Sequence, residues 1–196
     1  QTKLVANNAA VGDSMGTEVA MDGDLLVVGA PDRVAGGGSI NGSVHVFRWD
    51  GTAWSEEAEL TTTNSSGSDL FGDILAVSGD RIVVGNPHDN AGGNNNQGSV
   101  YVFDYDGTNW NETKLTASDG AADDWFGRSV AVSGDRIVVG APSDRVYGNG
   151  RGSAYVYDYD GTNWNETKLT ASDGDFADRF GISAAISGEH IVVGAS

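Results

Sequence analysis

The chain has 196 residues and no cysteine, which excludes a disulfide framework, a thiolate metal site and a cysteine nucleophile together. Lysine is nearly as scarce. Of 11 basic residues only Lys3, Lys114 and Lys168 are lysines, and 28 acidic residues bring the net charge to −17. A surface so short of positive charge repels phosphate backbones and anionic lipid, so nucleic acid and membrane surfaces are not expected as partners. The same balance suits a saline milieu or divalent cations, with ordinary solubility as the plainer account. No apolar run approaches the ~20 residues that cross a bilayer, so no membrane insertion of this segment is expected, and no signal-peptide pattern is present. The first residue is Gln1 rather than Met, which reads as a processed or excised segment. Helical periodicity is missing, as are a Gly-x-Ser-x-Gly elbow, a catalytic triad, a phosphate loop and zinc-ligand spacing; the expectation is a protein that is not an enzyme.

Glycine, at 29 residues, and short β-branched runs are abundant, and 39% of the chain is hydrophobic, which reads as all-β with many turns. The stretch DGTNWNETKLTASDG at 106–120 recurs letter for letter at 160–174. Copying of exposed and apolar positions alike marks a duplicated structural unit. DSMG, DLFG, DWFG and DRFG begin at residues 13, 69, 124 and 178, steps of 56, 55 and 54. The repeats run approximately 4–59, 60–114, 115–168 and 169–196, the last one partial. Within 124–172 the pattern predicts four strands, FGRSVAVS, RIVVGA, GSAYVYDY and WNETKLTA, joined by tight turns such as Asp160-Gly161. The middle two are apolar at successive positions, so both sheet faces need cover. The fourth mixes Glu166 and Lys168 into its pattern, as an exposed outer edge does. The architecture predicted is a β-propeller of four-stranded antiparallel blades in chain order from axis to rim.

The pairs Phe71-Gly72, Phe126-Gly127 and Phe180-Gly181, followed by Gly85-Asn86-Pro87, Gly140-Ala141-Pro142 and Gly194-Ala195-Ser196, resemble the FG-GAP repeat. In the first copy Met15-Gly16 and Gly29-Ala30-Pro31 take the same places. That repeat is the blade of the integrin α-subunit propeller and of many bacterial and archaeal surface proteins, so the resemblance implies an extracellular or cell-surface adhesion module. Integrin-type blades carry an Asp-rich calcium loop between their first two strands; here that connection is only Ser133-Gly134-Asp135 or its equivalents, too short to wrap the ion.

Acidic residues gather instead ahead of each Phe-Gly: Asp119, Asp123 and Asp124 in one copy, Asp173, Asp175 and Asp178 in the next. Carboxylates this close are candidate Ca²⁺ ligands. The competing reading is that the Asp two before each Phe-Gly (Asp13, Asp69, Asp124, Asp178) caps a turn through backbone N–H groups. Trp125 has no aromatic counterpart in the other copies and, with His88, Asp89, Arg145 and Tyr147 on loops that vary between copies, is a candidate contact for a protein or glycan partner. Asn41, Asn64, Asn111 and Asn165 fit the N-glycosylation acceptor pattern. About three and a half repeats do not close a ring, so the segment is expected to belong to a seven- or eight-bladed ring, through a longer chain or self-assembly of two copies. The leading functional expectation is an extracellular or cell-surface binding or assembly module presenting variable loops; the alternative is a glycan-binding or polysaccharide-processing enzyme domain in which carboxylates and Trp125 face one cleft.

Overall fold

The computed structural model describes residues 2–34, 41–62, 69–145 and 150–196. Their strands form three four-stranded antiparallel sheets and a final pair. The first sheet holds β1 (Val19–Asp22), β2 (Leu25–Ala30), β3 (Ser43–Trp49) and β4 (Trp54–Leu60). The second holds β5 (Ile74–Ser78), β6 (Arg81–Asn86), β7 (Ser99–Tyr105) and β8 (Trp110–Leu115). The third holds β9 (Ser129–Ser133), β10 (Arg136–Ala141), β11 (Ser153–Tyr159) and β12 (Trp164–Leu169), and β13 (Ser183–Ser187) with β14 (His190–Gly194) begins a fourth. Spatial order follows chain order in every sheet. Neighbouring sheets approach most closely along β1, β5, β9 and β13, so the first strands gather about the axis and the fourth strands form the rim. This is the expected propeller, with about three and a half blades.

The unbroken apolar runs are explained by blades that are covered on both faces. In the second blade Ile82, Val84, Tyr101 and Phe103 join one core with Leu25, Val27, Val44 and Val46 of the first. Val83, Val100 and Val102, one residue out of phase, join another with Ile137, Val139, Tyr155 and Tyr157 of the third. Period-2 alternation thus feeds two cores from one strand. Each Phe of Phe-Gly is the wedge between blades. Phe126 is fully buried and meets Tyr155 and Tyr157 edge-to-face, with centroids 5.3 and 6.0 Å away. Phe71 stands likewise against Tyr101 and Phe103. The following glycine binds back to its own blade, Gly127 N–H donating to Gly140 O at 3.0 Å, while its carbonyl presses on the preceding blade. A Cβ on Gly85 would lie 2.1 Å from Gly127 O, so only glycine admits this approach.

The lower rim, where the β1–β2-type turns and the β3–β4-type hairpins lie, carries a second joint. Arg81 pairs with Asp104 of its own blade, reaches Asp135 in the next, and lies over Tyr159 and Trp164 there, 5.5 and 4.8 Å from the ring centroids. In the first blade the arginine has moved from the second strand to the third, yet Arg48 makes the same reach, to Asp80 and over Tyr105. A third link joins consecutive turns: Gly79 N–H donates to Asp22, Gly134 N–H to Ser78 Oγ and Gly188 N–H to Ser133 Oγ.

One expectation about the fourth strand is refined. Glu166 and Lys168 alternate with the exposed Asn165 and Thr167, but it is the charged pair that turns inward and is half-buried. Their partners belong to the segment leading into that same blade, where Glu166 accepts from Ser118 and Lys168 binds Asp119.

Candidate functional site

Among the described residues, the candidate metal and partner contacts lie on segments at the upper rim, formed by the lead-in segments and the loops between second and third strands. Asn86 to Gln97 of the second blade and residues 123–126 of the third are laced together there. Asp123, Trp125 and Phe126 donate backbone N–H bonds to the carbonyls of Asn95, Asn96 and Gln97. Asn96 Nδ2 donates to Asp123 Oδ1 at 3.0 Å. This lacing holds Trp125 at the crest, 37% exposed, with its ring edge-on to that of His88 at a centroid distance of 6.2 Å. Beside them lies a cavity of about 140 Å³ lined by Asp69, Leu70, Asp73, Ile74, Pro87, His88 and Arg128.

Trp125 has φ of 58°, in the left-handed region, and so have Ser14, Leu70 and Arg179 at the same place in the other copies. Four unlike side chains adopting this φ show that the turn imposes it and that the side chain is free to vary. The position is a display point built into each blade.

The carboxylates have a different arrangement. Asp13 accepts from Ala10 N–H, Asp124 from Ala121 N–H and Asp178 from Asp175 N–H, the turn-capping geometry. Lys168 Nζ lies 2.6 Å from both Asp119 and Asp144, and Tyr155 OH lies within 3.1 Å of the same two carboxylates. Burial pushes the Asp119 carboxyl up, but the bonds from Lys168 and Tyr155 outweigh it and hold it below the ordinary range. Asp124, 3% exposed, pairs with no such cation among the described residues, and burial reinforced by Asp144 pushes it up to about 6. In the second blade Lys114 takes the matching place 2.6 Å from Asp89, which Ser99 also bonds. In the first, Arg33 bridges Asp13 and Glu59. A side-chain cation therefore sits among the carboxylates at each of these places, and among the described residues no three His, Asp or Glu come together to hold a metal.

The remaining candidates scatter. Asp89 is buried and bound by Lys114 and Ser99, and Arg145 is exposed. Tyr147 and Asn64 lie outside the described residues. Asp173 is exposed at the half-blade. Asn111 and Asn165 are exposed on the rim strands β8 and β12, their Nδ2 groups donating to Asp106 and Asp160 of the adjoining hairpins. Asn41 is half-buried and its Oδ1 has no partner among the described residues. The lysine nodes and arginine staples went unread in the sequence, although the recurrence of Lys114 and Lys168 within identical stretches was the available signal.

Blades wedged by Phe-Gly against Gly-Ala-Pro or Gly-Asn-Pro define a propeller of repeated blades. The family model of the FG-GAP repeat matches residues 1–47, 54–103, 110–157 and 164–196, and the chain belongs to that family. No curated protein matches it. FG-GAP repeats are typical of extracellular and surface proteins, and no helix among the described residues is long and apolar enough to cross a membrane.

Proposed function

We propose that the chain is a non-enzymatic binding module of an extracellular or cell-surface protein, and that it engages a protein or glycan partner through the upper rim between its second and third blades. The observation that carries this reading is the Trp125–His88 pair, contributed by two different blades and standing beside a cavity of about 140 Å³. An exposed aromatic beside a small cavity with polar walls suits a sugar ring or a projecting side chain. Arg128 and the carboxylates of Asp69 and Asp73 put both signs of charge at that wall, so a polar or zwitterionic group is favoured over an anionic one. Membership of the FG-GAP family supports the adhesive setting, and the lysine and arginine residues bound to the upper carboxylates support partner recognition without calcium.

The test is a glycan array together with pull-down from surface-exposed proteins, each run with the parent chain and with Trp125→Ala. Recognition that falls at least tenfold in the variant supports the site. Recognition unchanged by Trp125→Ala places the contact elsewhere, and turnover of a bound polysaccharide overturns the non-enzymatic assignment.

A further inference from the structure

Three of the four Asn residues in acceptor triplets for N-linked sugar lie among the described residues, and the structure separates them. Asn41 is half-buried, and the hydroxyl of its triplet belongs to Ser43, fully buried beside His45. Gly42, between them, lies against Phe71 of the next blade, so a branched sugar has no room at this joint. Asn111 and Asn165 differ. They hold the second place of β8 and β12, in identical Asn-Glu-Thr triplets. Residues two apart share a strand face, so amide and hydroxyl stand together, and Asn111, Thr113, Asn165 and Thr167 are all exposed. The complete third blade follows Asn111 and Thr113, so their exposure is a property of the rim itself. Each amide is also held in place. Asn111 Nδ2 donates to Asp106 Oδ2 at 2.9 Å, and Asn165 Nδ2 to Asp160 Oδ2 at 3.0 Å. Of the two hydrogens on each nitrogen, the other reaches only a backbone oxygen, at 3.5 Å from Asn111 and 3.4 Å from Asn165, so its replacement leaves the bond to Asp intact.

The same strands share a second property. β4, β8 and β12 are the outer edges of their sheets, and among the described residues no further strand pairs with them. Such an edge invites pairing with another molecule unless charge or cover blunts it. β4 carries Glu56, Glu57 and Glu59, and like charge keeps such edges apart. In β8 and β12 one Glu and one Lys cancel, and the Lys is drawn to Asp89 or Asp119. The acceptor triplet stands on the two edges without net charge and is missing from the one that has it.

We infer that Asn111 and Asn165 carry N-linked glycans that shield the outer edges of β8 and β12. The donor is a lipid-diphosphate-linked oligosaccharide. A bond forms between the Asn nitrogen and the anomeric carbon, and the bond from that carbon to the diphosphate oxygen breaks. The amide gives one proton to the transferase, the lipid diphosphate leaves, and the retained N–H keeps its bond to Asp106 or Asp160. Both acceptors lie at the hairpin end of their strands, on the lower rim, so the sugars leave the Trp125 crest clear. The inference rests on the extracellular setting proposed above and is independent of the ligand at Trp125.

The test exports the 196-residue chain through the secretory pathway of a eukaryotic host, where acceptor competence is read apart from where the protein naturally resides. Peptide N-glycosidase converts each occupied Asn to Asp, and peptide mass spectrometry is expected to find that change at Asn111 and Asn165 and not at Asn41. Thr113→Ala and Thr167→Ala delete the triplets but keep the Asn amides, and each is expected to lose the mass of one glycan. Thr113→Ser and Thr167→Ser are expected to keep it. Circular dichroism of each variant separates a lost acceptor from lost folding. Removal of the sugars from the folded parent is expected to speed self-association, followed by light scattering. Bare Asn111 and Asn165, sugar on Asn41, or self-association unaffected by removal overturns the inference. Surface labelling of intact cells checks the extracellular setting separately, so a wrong setting and a bare acceptor give different results.

Discussion

Gly85→Ala is expected to weaken the fold, although the same change in an unobstructed strand strengthens it by about 0.5–1 kcal/mol through the unfolded chain. Gly85 has an ordinary strand φ, so backbone conformation raises no objection. The obstacle is Gly127 O of the next blade, 2.1 Å from the added methyl, where ordinary contact begins at 3.4 Å. The carbonyl must retreat by about 1.3 Å, the difference between those distances. It has little freedom to do so, since Gly127 is bonded to Gly140 O and a Cβ on it would itself lie 2.5 Å from Ser99 O. Over-packing of this kind costs about 1–3 kcal/mol, and the methyl on Ile74, 3.0 Å away, adds to the crowding. For a chain of this size that lowers the melting temperature by roughly 3–10 °C. Urea and thermal unfolding of parent, Gly85→Ala and Gly150→Ala make the comparison. Gly150 has nothing within 4 Å of its added methyl among the described residues, and its variant is expected to match or exceed the parent. A Gly85→Ala protein as stable as Gly150→Ala would refute the claim that carbonyl-on-glycine contact sets the spacing of the blades.

Asp124 titrates near 6 when folded, above an ordinary carboxylate, so the native state holds its proton more tightly and stability falls as pH rises from about 4 through 6. Asp124→Asn keeps an acceptor for Ala121 N–H and is expected to gain about 1–3 kcal/mol at pH 7.5, fading toward zero by pH 4; a gain that does not change with pH in urea titrations would contradict this. Phe126→Ala opens a void between the second and third blades and is expected to lose about 3–5 kcal/mol, measured by the shift in urea midpoint. Arg81→Gln removes ion pairs to Asp104 and Asp135 and the stacking on Tyr159 and Trp164, with a loss of about 1–2 kcal/mol that shrinks only partly in 1 M salt, because the ring contact is less screened than the exposed Asp135 pair. Equal stability of parent and variant at high salt would show that the rings contribute nothing.

The fold was legible because its determinants are local and repeated. Runs such as RIVVGA, glycine-containing turns and the Phe-Gly and Gly-Ala-Pro pairs each fix a strand, a hairpin or a wedge without reference to distant residues. The carboxylate clusters were legible only as composition. Asp119 and Asp173 lie in identical fifteen-residue stretches, yet Asp119 meets Tyr155 and Lys168 while Asp173 is exposed, because the third and fourth strands that supply those partners follow the first and are absent from the half-blade. No reading of the stretch alone distinguishes them. Likewise the inward turn of Glu166 and Lys168 depends on a lead-in segment lying against their face, which a two-residue period cannot reveal. Trp125 and His88 were each visible as loop residues, but their contact arises from lacing between two blades some forty residues apart in sequence.

The family's sequence unit starts at a fourth strand and ends in the third strand of the next blade, as residues 54–103 and 110–157 do, so what recurs along the chain is the joint between sheets. A molecule assembled from joints grows by insertion of one more identical coupling, with no new surface to invent. Its circumference is then a matter of counting, while the single side chain raised before each Phe-Gly can be exchanged copy by copy, leaving the frame untouched and altering only what the wheel presents to its surroundings.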